Sequence, residues 1–413
     1  MKFKQTEIGC IPEHWKVLPI RDVTMAVTDY VANGSFASLA ANVSYKDDKD
    51  VAVLIRLVDY NNNFQGNFVY IDDHAYNFLS KSKLYGGEII ISNVGANVGT
   101  VFRCPTLPYK MSLAPNSIMV KFNENNDFYF HWLKSRNGQQ MIKSIVTGSA
   151  QPKFNKTNFR QMLVPVPPIE EQNRIAAILN AIDDKINKNR QINDNLEQQA
   201  QSYFQELFVD NADPEWTTGT ISDLGAVVGG STPSKAKPEY YTESGIAWIT
   251  PKDLSINKSK FVSHGENDIT ELGLKNSSAA IMPEGTVLFS SRAPIGYIAI
   301  AAGEVTTNQG FKSVVPKPEI GTPFVYFFLK NTLPVIEGMA SGSTFKEVSG
   351  STMKNVPAVI PDAETLAKFS DFCAPIFAQQ RILEEQNQSL ATLRDNLLPK
   401  LMSGEIDVSA VQL

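Results

Sequence analysis

The sequence predicts an α+β protein: two pseudo-symmetric globular α/β halves joined by two long helices packed as an antiparallel coiled coil. Three observations predict it. The chain repeats itself with a period near 195 residues. Each half carries a proline-bounded strand that runs into a long helical pattern. One apolar seam, in alternating steps of four and three, passes through both helical stretches.

The repeat rests on four segments that return in the same order. "IPEHW" at Ile11 returns as "DPEW" at Asp213, and "GGEIIISNVGANVGTVF" at Gly86 as "PEGTVLFSSRAPIGYIAI" at Pro283. "FYFHWLKS" at Phe128 returns as "FVYFFLKN" at Phe324. "TGSAQPKFNKTNFRQMLVPVPP" at Thr147 returns as "SGSTFKEVSGSTMKNVPAVIP" at Ser341. Offsets of about 193 to 202 residues are too long for a solenoid and fit a duplicated half-protein.

Each half opens with short mixed elements. β-type runs cover Val51–Val58, Glu88–Ser92, Ser117–Phe122, Gly245–Thr250, Thr286–Ser291 and Lys312–Val315. Turn signals Asn33-Gly34, Gly86-Gly87 and Gly229-Gly230 separate them. A short amphipathic helix is expected over Phe128–Ile145. Its counterpart over Pro323–Met339 should be disturbed by Pro334, which removes a backbone donor and crowds the preceding turn. The resulting boundaries are 1–165 (globular), 166–210 (helical), 211–361 (globular) and 362–413 (helical).

The first long helix starts in "LVPVPPIEEQNRIAAILNAIDDKI", Leu163–Ile186. These prolines are disfavoured in the interior of this helix, where each would remove a backbone hydrogen bond, so they fix its start. Glu170 and Glu171 follow where the helix dipole favours carboxylates. The pattern continues to about Phe208, roughly 60 Å at ~1.5 Å per residue, too long for one small domain to wrap. Its seam is Ile175, Leu179, Ile182, Ile186, Asn189, Asn193, Leu196, Ala200, Tyr203 and Leu207. A shift of 194 residues gives Phe369, Cys373, Ile376, Gln380, Leu383, Asn387, Leu390, Arg394, Leu397 and Leu401. The simplest covering for two such seams is each other, antiparallel about a pseudo-two-fold axis. Buried asparagines would then fix register at a cost in stability.

Composition excludes several function classes. The 413 residues are 43% hydrophobic and 20% charged, as in a soluble globular protein. A net charge of -5 does not advertise nucleic acid globally. Cys10, Cys104 and Cys373 offer neither a disulfide framework nor zinc spacing. "MKFKQTEIGC" lacks the apolar core of a signal peptide, and no apolar run reaches the ~18–20 residues of a membrane span. The expected location is the cytoplasm, with no membrane contact. There is no G-x-x-x-x-G-K-[ST] phosphate loop, no Asn/Asp-Pro-Pro-aromatic motif of amino-methyltransferases and no Gly-rich cofactor loop. His14, His74, His131 and His264 have no metal-ligand spacing, so neither a metal site nor a catalytic residue is expected.

Charge is nonetheless local. From Phe128 to Ile169 there is no Asp or Glu, whereas Lys134, Arg136, Lys143, Lys153, Lys156 and Arg160 are present. The loops "SNVGANVG", "LAPNS" and "GSAQPKF" supply amides and backbone N–H groups suited to phosphates and base edges. The second half offers "SSRAPIG", "TTNQGFK" and "GSTFK", with Glu337 and Glu347 lowering the positive charge. Taken singly, each loop reads as a solvated turn, and Phe154 and Phe345 as packing residues. Duplication and a rigid spacer raise DNA: two related heads could read two half-sites about one helical turn (~34 Å) apart. The candidate DNA-binding residues are Asn93, Asn97, Lys110, Asn116, Ser149, Gln151, Lys153, Lys156 and Arg160 in the first half. In the second they are Ser291, Arg292, Asn308, Gln309, Lys312, Ser343, Thr344 and Lys346.

The segments "VPVPPIEEQNRIAAILNAIDDKI" (Val164–Ile186), "LEQQAQSYFQELFVD" (Leu196–Asp210), "LRDNLLPKLMSGEIDV" (Leu393–Val408), "IPEHW" and "NQGFKSVVP" (Asn308–Pro316) carry a resemblance. Over essentially the whole chain it resembles the specificity subunits of type I restriction–modification systems, the HsdS family. The resemblance implies two target recognition domains, 1–165 and 211–361, each reading one half of a bipartite asymmetric DNA target. It implies that the helices 166–210 and 362–413 set the spacing and dock two methyltransferase subunits, which bind S-adenosylmethionine and methylate adenine. It further implies motor–nuclease partners that use ATP and Mg to restrict unmodified DNA. The chain itself would be no enzyme and bind no cofactor. Two other classes fit less of the sequence: a coiled-coil scaffold with protein-binding heads, and a duplicated hydrolase with an unrecognised carboxylate site.

Overall fold

The computed structural model describes residues 2–342 and 346–411. The chain divides into two compact units, Met1–Lys185 with Leu390–Leu413, and Ile186–Ser389. The units divide inside the long helices, whereas the sequence boundaries set the helices apart as segments of their own. The reason is packing: each globular region shares one apolar core with the stretch of helix beside it.

In the first unit, the proline-bounded strand Leu163–Val166 pairs antiparallel with Lys16–Pro19 in a two-stranded sheet. Pro165 cannot donate to a ladder, and a two-stranded sheet leaves it an open edge. A four-stranded antiparallel sheet has the order Thr24–Asp29, Ser117–Phe122, Ile89–Ser92, Val101–Arg103. Its centre, "III", is a continuous apolar run because both faces are covered. Ile89 and Ile91 join the core that includes Trp132 and Leu179, while Ile90 joins a second core with Val53 and Leu113. The second sheet has the order Val69–Ile71, Ala52–Ile55, Lys110–Leu113, Lys83–Leu84, with its central pair parallel.

Two motifs of the sequence explain each other here. Trp15 is 1% exposed, and its indole Nε1 donates to Glu171 Oε2 at 2.8 Å, at the start of the long helix. The turn after the C-terminal helix is made by Gly404, at φ +71°, where an added Cβ would lie 2.4 Å from Pro12 Cγ. "IPEHW" and "LMSGEI" are therefore two sides of one contact.

The second unit repeats these pairings. Thr217–Thr220 pairs antiparallel with Pro357–Ile360. Gly225–Gly229, Lys312–Pro316, Val287–Ser291 and Ile295–Ala301 follow the order of the first unit's antiparallel sheet, and Phe261–Val262 adds a fifth, parallel strand at its edge. Trp248–Ile249 pairs parallel with Thr306–Thr307, as Ala52–Ile55 does with Lys110–Leu113. Trp216 Nε1 donates to Asp362 Oδ2 at 3.0 Å, the counterpart of Trp15 and Glu171.

The long helices are Ile169–Gln205, extended by a π-helical turn over Glu206–Asp210, and Ala363–Met402, which runs through Pro375 and Pro399. They pack antiparallel within each unit. In the first, Ile175, Leu179, Ile182 and Leu401 are buried, Leu390 and Leu397 half-buried, and Asp183 meets Arg394 at 3.0 Å. In the second, Ile186, Phe369, Cys373, Ile376 and Leu383 are buried, while Asn193, Leu196, Tyr203, Leu207 and Asn387 are half-buried. Asn189 donates to Asn387 Oδ1 (3.0 Å), Gln380 to Asn193 O (3.2 Å), and Tyr203 lies against Phe372, so one helix ascends as the other descends.

One expectation is reversed. The first short helix is two, Asn126–Lys134 and Arg136–Ser144, while its counterpart Thr322–Gly338 is unbroken with Pro334 inside. Ser135 starts a new helix by accepting from Gly138 N, and Gly138 packs where a Cβ would sit 2.1 Å from Trp132 O. A serine N-cap and a close backbone approach outweigh the helical periodicity there.

Candidate nucleic-acid interface

In the first unit, three loops converge at one end of the sheets. They follow strand Ile89–Ser92, strand Lys110–Leu113 and helix Arg136–Ser144. Asn93 N donates to Asn116 O (3.0 Å), Gly95 N to Pro152 O (2.9 Å) and Phe154 N to Asn93 O (3.1 Å). The Asn93 amide donates to Phe154 O at 3.1 Å. Thr147 and Lys153 exchange backbone bonds of 2.8 and 2.9 Å and close the third loop. The backbone is thus tied internally, and Asn97, Asn116, Ser149, Gln151 and Lys153 are left exposed, with Arg160 exposed on the next helix, Lys156–Gln161. Phe154 is buried against Phe159 and is a packing residue.

Two candidates of the first half stand elsewhere or are already matched. Lys110 begins the strand whose far end feeds the loop cluster, so it lies three residues, roughly 10 Å, away along the strand. Its ammonium faces Asp73 at 3.3 Å. Lys156 Nζ lies 3.0 Å from Asp29, which matches its charge. Arg56 was not foreseen. It lines a shallow pocket of about 360 Å³ with Leu57, Ser92, Val94, Ala114, Pro115 and Asn116. Its guanidinium is pinned to the buried Asp59 by bonds of 3.0 and 2.6 Å. The signal was a fifth repeat segment: "IRLVD" at Ile55 matches "ITPKD" at Ile249, and in both the aspartate accepts from the backbone N–H three residues before it.

The second unit builds the same cluster with different side chains. Ser291 N donates to Gly310 O (2.7 Å), Val348 N to Ser291 O (3.0 Å), and Ser341 and Glu347 exchange backbone bonds. Ser291 is corrected by this geometry: it is fully buried, with Oγ donating to Gly310 O at 3.1 Å, so its side chain holds loops together and is closed to a ligand. Asn308 Oδ1 is occupied by Gly310 N at 2.8 Å, and Gln309 is exposed and accepts from Thr232. Arg292 and Lys312 both face Glu347, at 3.4 and 3.8 Å. Burial pushes the Lys312 ammonium pKa down, and Glu347 partly restores it. Lys346 is exposed; Ser343 and Thr344, with Phe345, lie outside the described residues.

Electrostatically the two clusters differ. The first presents Lys153 and Arg160 in a segment free of acids, so it can attract phosphates. In the second, Arg292 and Lys312 share one carboxylate, Glu347, which lowers the local positive charge, and Lys346 is exposed. Among the described residues no group of three or more His, Cys, Asp or Glu could hold a metal, and no helix is long and apolar enough to cross a membrane. The histidines are used locally: His14 bonds Glu171, His131 is buried against Asn180, His74 bonds Asn42 and His264 bonds Asp268.

Comparison with known proteins agrees with the duplicated architecture. The family model described as "Type I restriction modification DNA specificity domain" matches twice, over residues 12–198 and 214–393. The type I restriction enzyme HindI specificity subunit of Haemophilus influenzae is 21% identical, over 90% of this chain and 98% of that protein. The MjaIX specificity subunit of Methanocaldococcus jannaschii is 39% identical, over 44% of each. The crystal structure of a type I restriction–modification S subunit from M. genitalium shares the fold, with a TM-score of 0.58, 15% identity, and coverage of 94% of this chain and 96% of that one.

Proposed function

We propose a function from the premise that the chain belongs to the type I restriction–modification DNA specificity family, with two tandem copies of its domain. It is a non-catalytic subunit that recognises DNA sequence. Each head reads one half of a bipartite target, and the target is asymmetric because the two loop clusters differ. The single observation that carries this is the repeated convergence of three loops at corresponding strand ends, with unlike exposed side chains. The exposed faces of the helices dock two methyltransferase subunits, which bring S-adenosylmethionine to an adenine in each half-site. Motor–nuclease subunits, with ATP and Mg, add restriction of unmodified DNA. The complex works in the cytoplasm.

The test is single-molecule sequencing of methylated DNA from cells holding the cognate modification subunit, with and without this chain. An interrupted, asymmetric motif with one modified adenine per half, dependent on this chain, is the expected result. Absence of any such motif, with the same modification subunit active beside another specificity chain, overturns the proposal. It would favour a scaffold with protein-binding heads.

A further inference from the structure

A buried lysine joins the second globular region to its stretch of the helix pair. Lys260 directly precedes Phe261–Val262, the fifth sheet strand that has no counterpart among the described residues of the first unit. Its side chain is 6% exposed. Nζ donates to Glu197 Oε2 at 2.8 Å and to Gln380 Oε1 at 2.9 Å, one residue from each long helix. The ammonium also sits over the Phe377 ring, 3.4 Å from its centroid. Glu384 of the C-terminal helix accepts from the backbone N–H groups of Lys260 and Phe261, at 2.8 and 3.0 Å. Glu197 is held from its other side by Lys330 Nζ (2.5 Å) and the Tyr326 hydroxyl (3.1 Å).

An apolar side chain would fill this space at less desolvation cost. A buried ion pair is a weak source of stability compared with well-packed hydrophobic residues of similar volume. What an ammonium adds is direction: three donors that must meet acceptors on two different helices. The first unit grips its helix from the corresponding sheet edge with other chemistry. Arg103 ends the edge strand, lies 4.3 Å over the Phe130 ring, and bonds Asp127 and the central-helix residue Asn180, both at 3.0 Å. Both heads therefore use a cation stacked on an aromatic ring to fix themselves to a helix.

We propose that Lys260 is a positioning residue for target recognition: it fixes the orientation of the second head on the helix pair, and through it the half-site spacing that the subunit accepts. The inference rests on the DNA-recognition reading above. Lys260 does not touch DNA, and its loss leaves the bases read in each half unchanged.

The experiment compares the wild-type chain with Lys260→Met in the assembled methyltransferase, using duplexes whose half-site spacer is cognate or one base pair shorter or longer. Lys260→Met leaves Glu197 with Lys330 as its remaining cation and should melt at a lower temperature, while its half-site bases stay unchanged. It should raise modification at the non-cognate spacers, relative to the cognate one, about tenfold or more. A folded Lys260→Met complex with unchanged spacing preference overturns the proposal, as does loss of base preference in the second half. If Lys260→Met fails to fold, Lys260→Met combined with Glu197→Gln, which removes both partners of the buried pair and leaves the half-exposed Lys330 in reach of solvent, decides by the same criteria. A wild-type chain that directs no bipartite modification refutes the DNA-recognition reading itself, and this inference falls with it. A wild-type bipartite motif beside unaltered spacing in the variant refutes only the role of Lys260.

Discussion

Glu347→Gln should make DNA binding by the second head more sensitive to salt. Glu347 is the one carboxylate that faces both Arg292, at 3.4 Å, and Lys312, at 3.8 Å, and its side chain is 38% exposed. Such half-exposed pairs contribute only about 0–1 kcal/mol each, so the substitution should barely change folding stability. Its effect lies in the charge it sets free. Each cation that neutralises a phosphate steepens the fall of log K with log salt by about 0.9. Removing one carboxylate frees one net positive charge and adds about 0.9, which over a fourfold salt range is roughly a threefold change in relative affinity. The assay is fluorescence anisotropy of the assembled methyltransferase on its target duplex between about 50 and 200 mM salt. Lys153→Ala in the first cluster should move the slope the opposite way, by about 0.9. An unchanged slope in Glu347→Gln, with Lys153→Ala behaving as stated, would show that the second cluster does not face the phosphate backbone.

Three further outcomes follow from named contacts. Glu171→Ala strands the buried Trp15 indole N–H and should destabilise the first unit by about 1–3 kcal/mol, seen as a lower denaturant midpoint; Asp362→Ala, beside the half-buried Trp216, should cost less. Asn189→Leu removes a fully buried amide from the helix seam and should raise stability while allowing alternative helix register, read by cysteine cross-linking between the helices. The third outcome concerns acid. Burial pushes the Glu197 carboxyl up, but the charges and hydrogen bonds of Lys260 and Lys330 outweigh it and hold its pKa at about 2. A depressed carboxyl pKa stabilises the fold above its unfolded value near 4.5, and that contribution is lost as pH falls through 4.5 toward 2. Glu197→Gln should therefore be less stable than wild type at pH 7, with the gap closing in that acid window; a gap independent of pH would refute the ion-pair account.

The architecture was legible because repetition and periodicity survive in one dimension. Four anchors gave the duplication, and the four-and-three seam gave paired helices whose seam positions, polar ones included, are buried or half-buried. The loops of the candidate interface were legible by composition. Individual side chains were less so. Lys110 and the loop it was grouped with are separated by the length of a strand, and Ser291 is buried by a backbone contact with Gly310, neither of which leaves a mark on local sequence. Arg56 was hidden because its repeat partner is a threonine with the same backbone role. Lys260 sits in "NKSKFV", a polar run that reads as solvated loop; its burial depends on an extra strand that, among the described residues, forms in the second unit alone.

The contact of Gly404 with Pro12 and Trp15 also orders events in time. The first unit is discontinuous in sequence, and its core includes Leu401, Met402 and Val408. The second unit is continuous from Ile186 to Ser389. During synthesis, at roughly 5–20 residues per second, the second unit is complete while the first still waits for its closing segment. The first head to be made is the last to be finished, and a ribosome that stalls after Ser389 releases a chain in which only the second unit has its whole core.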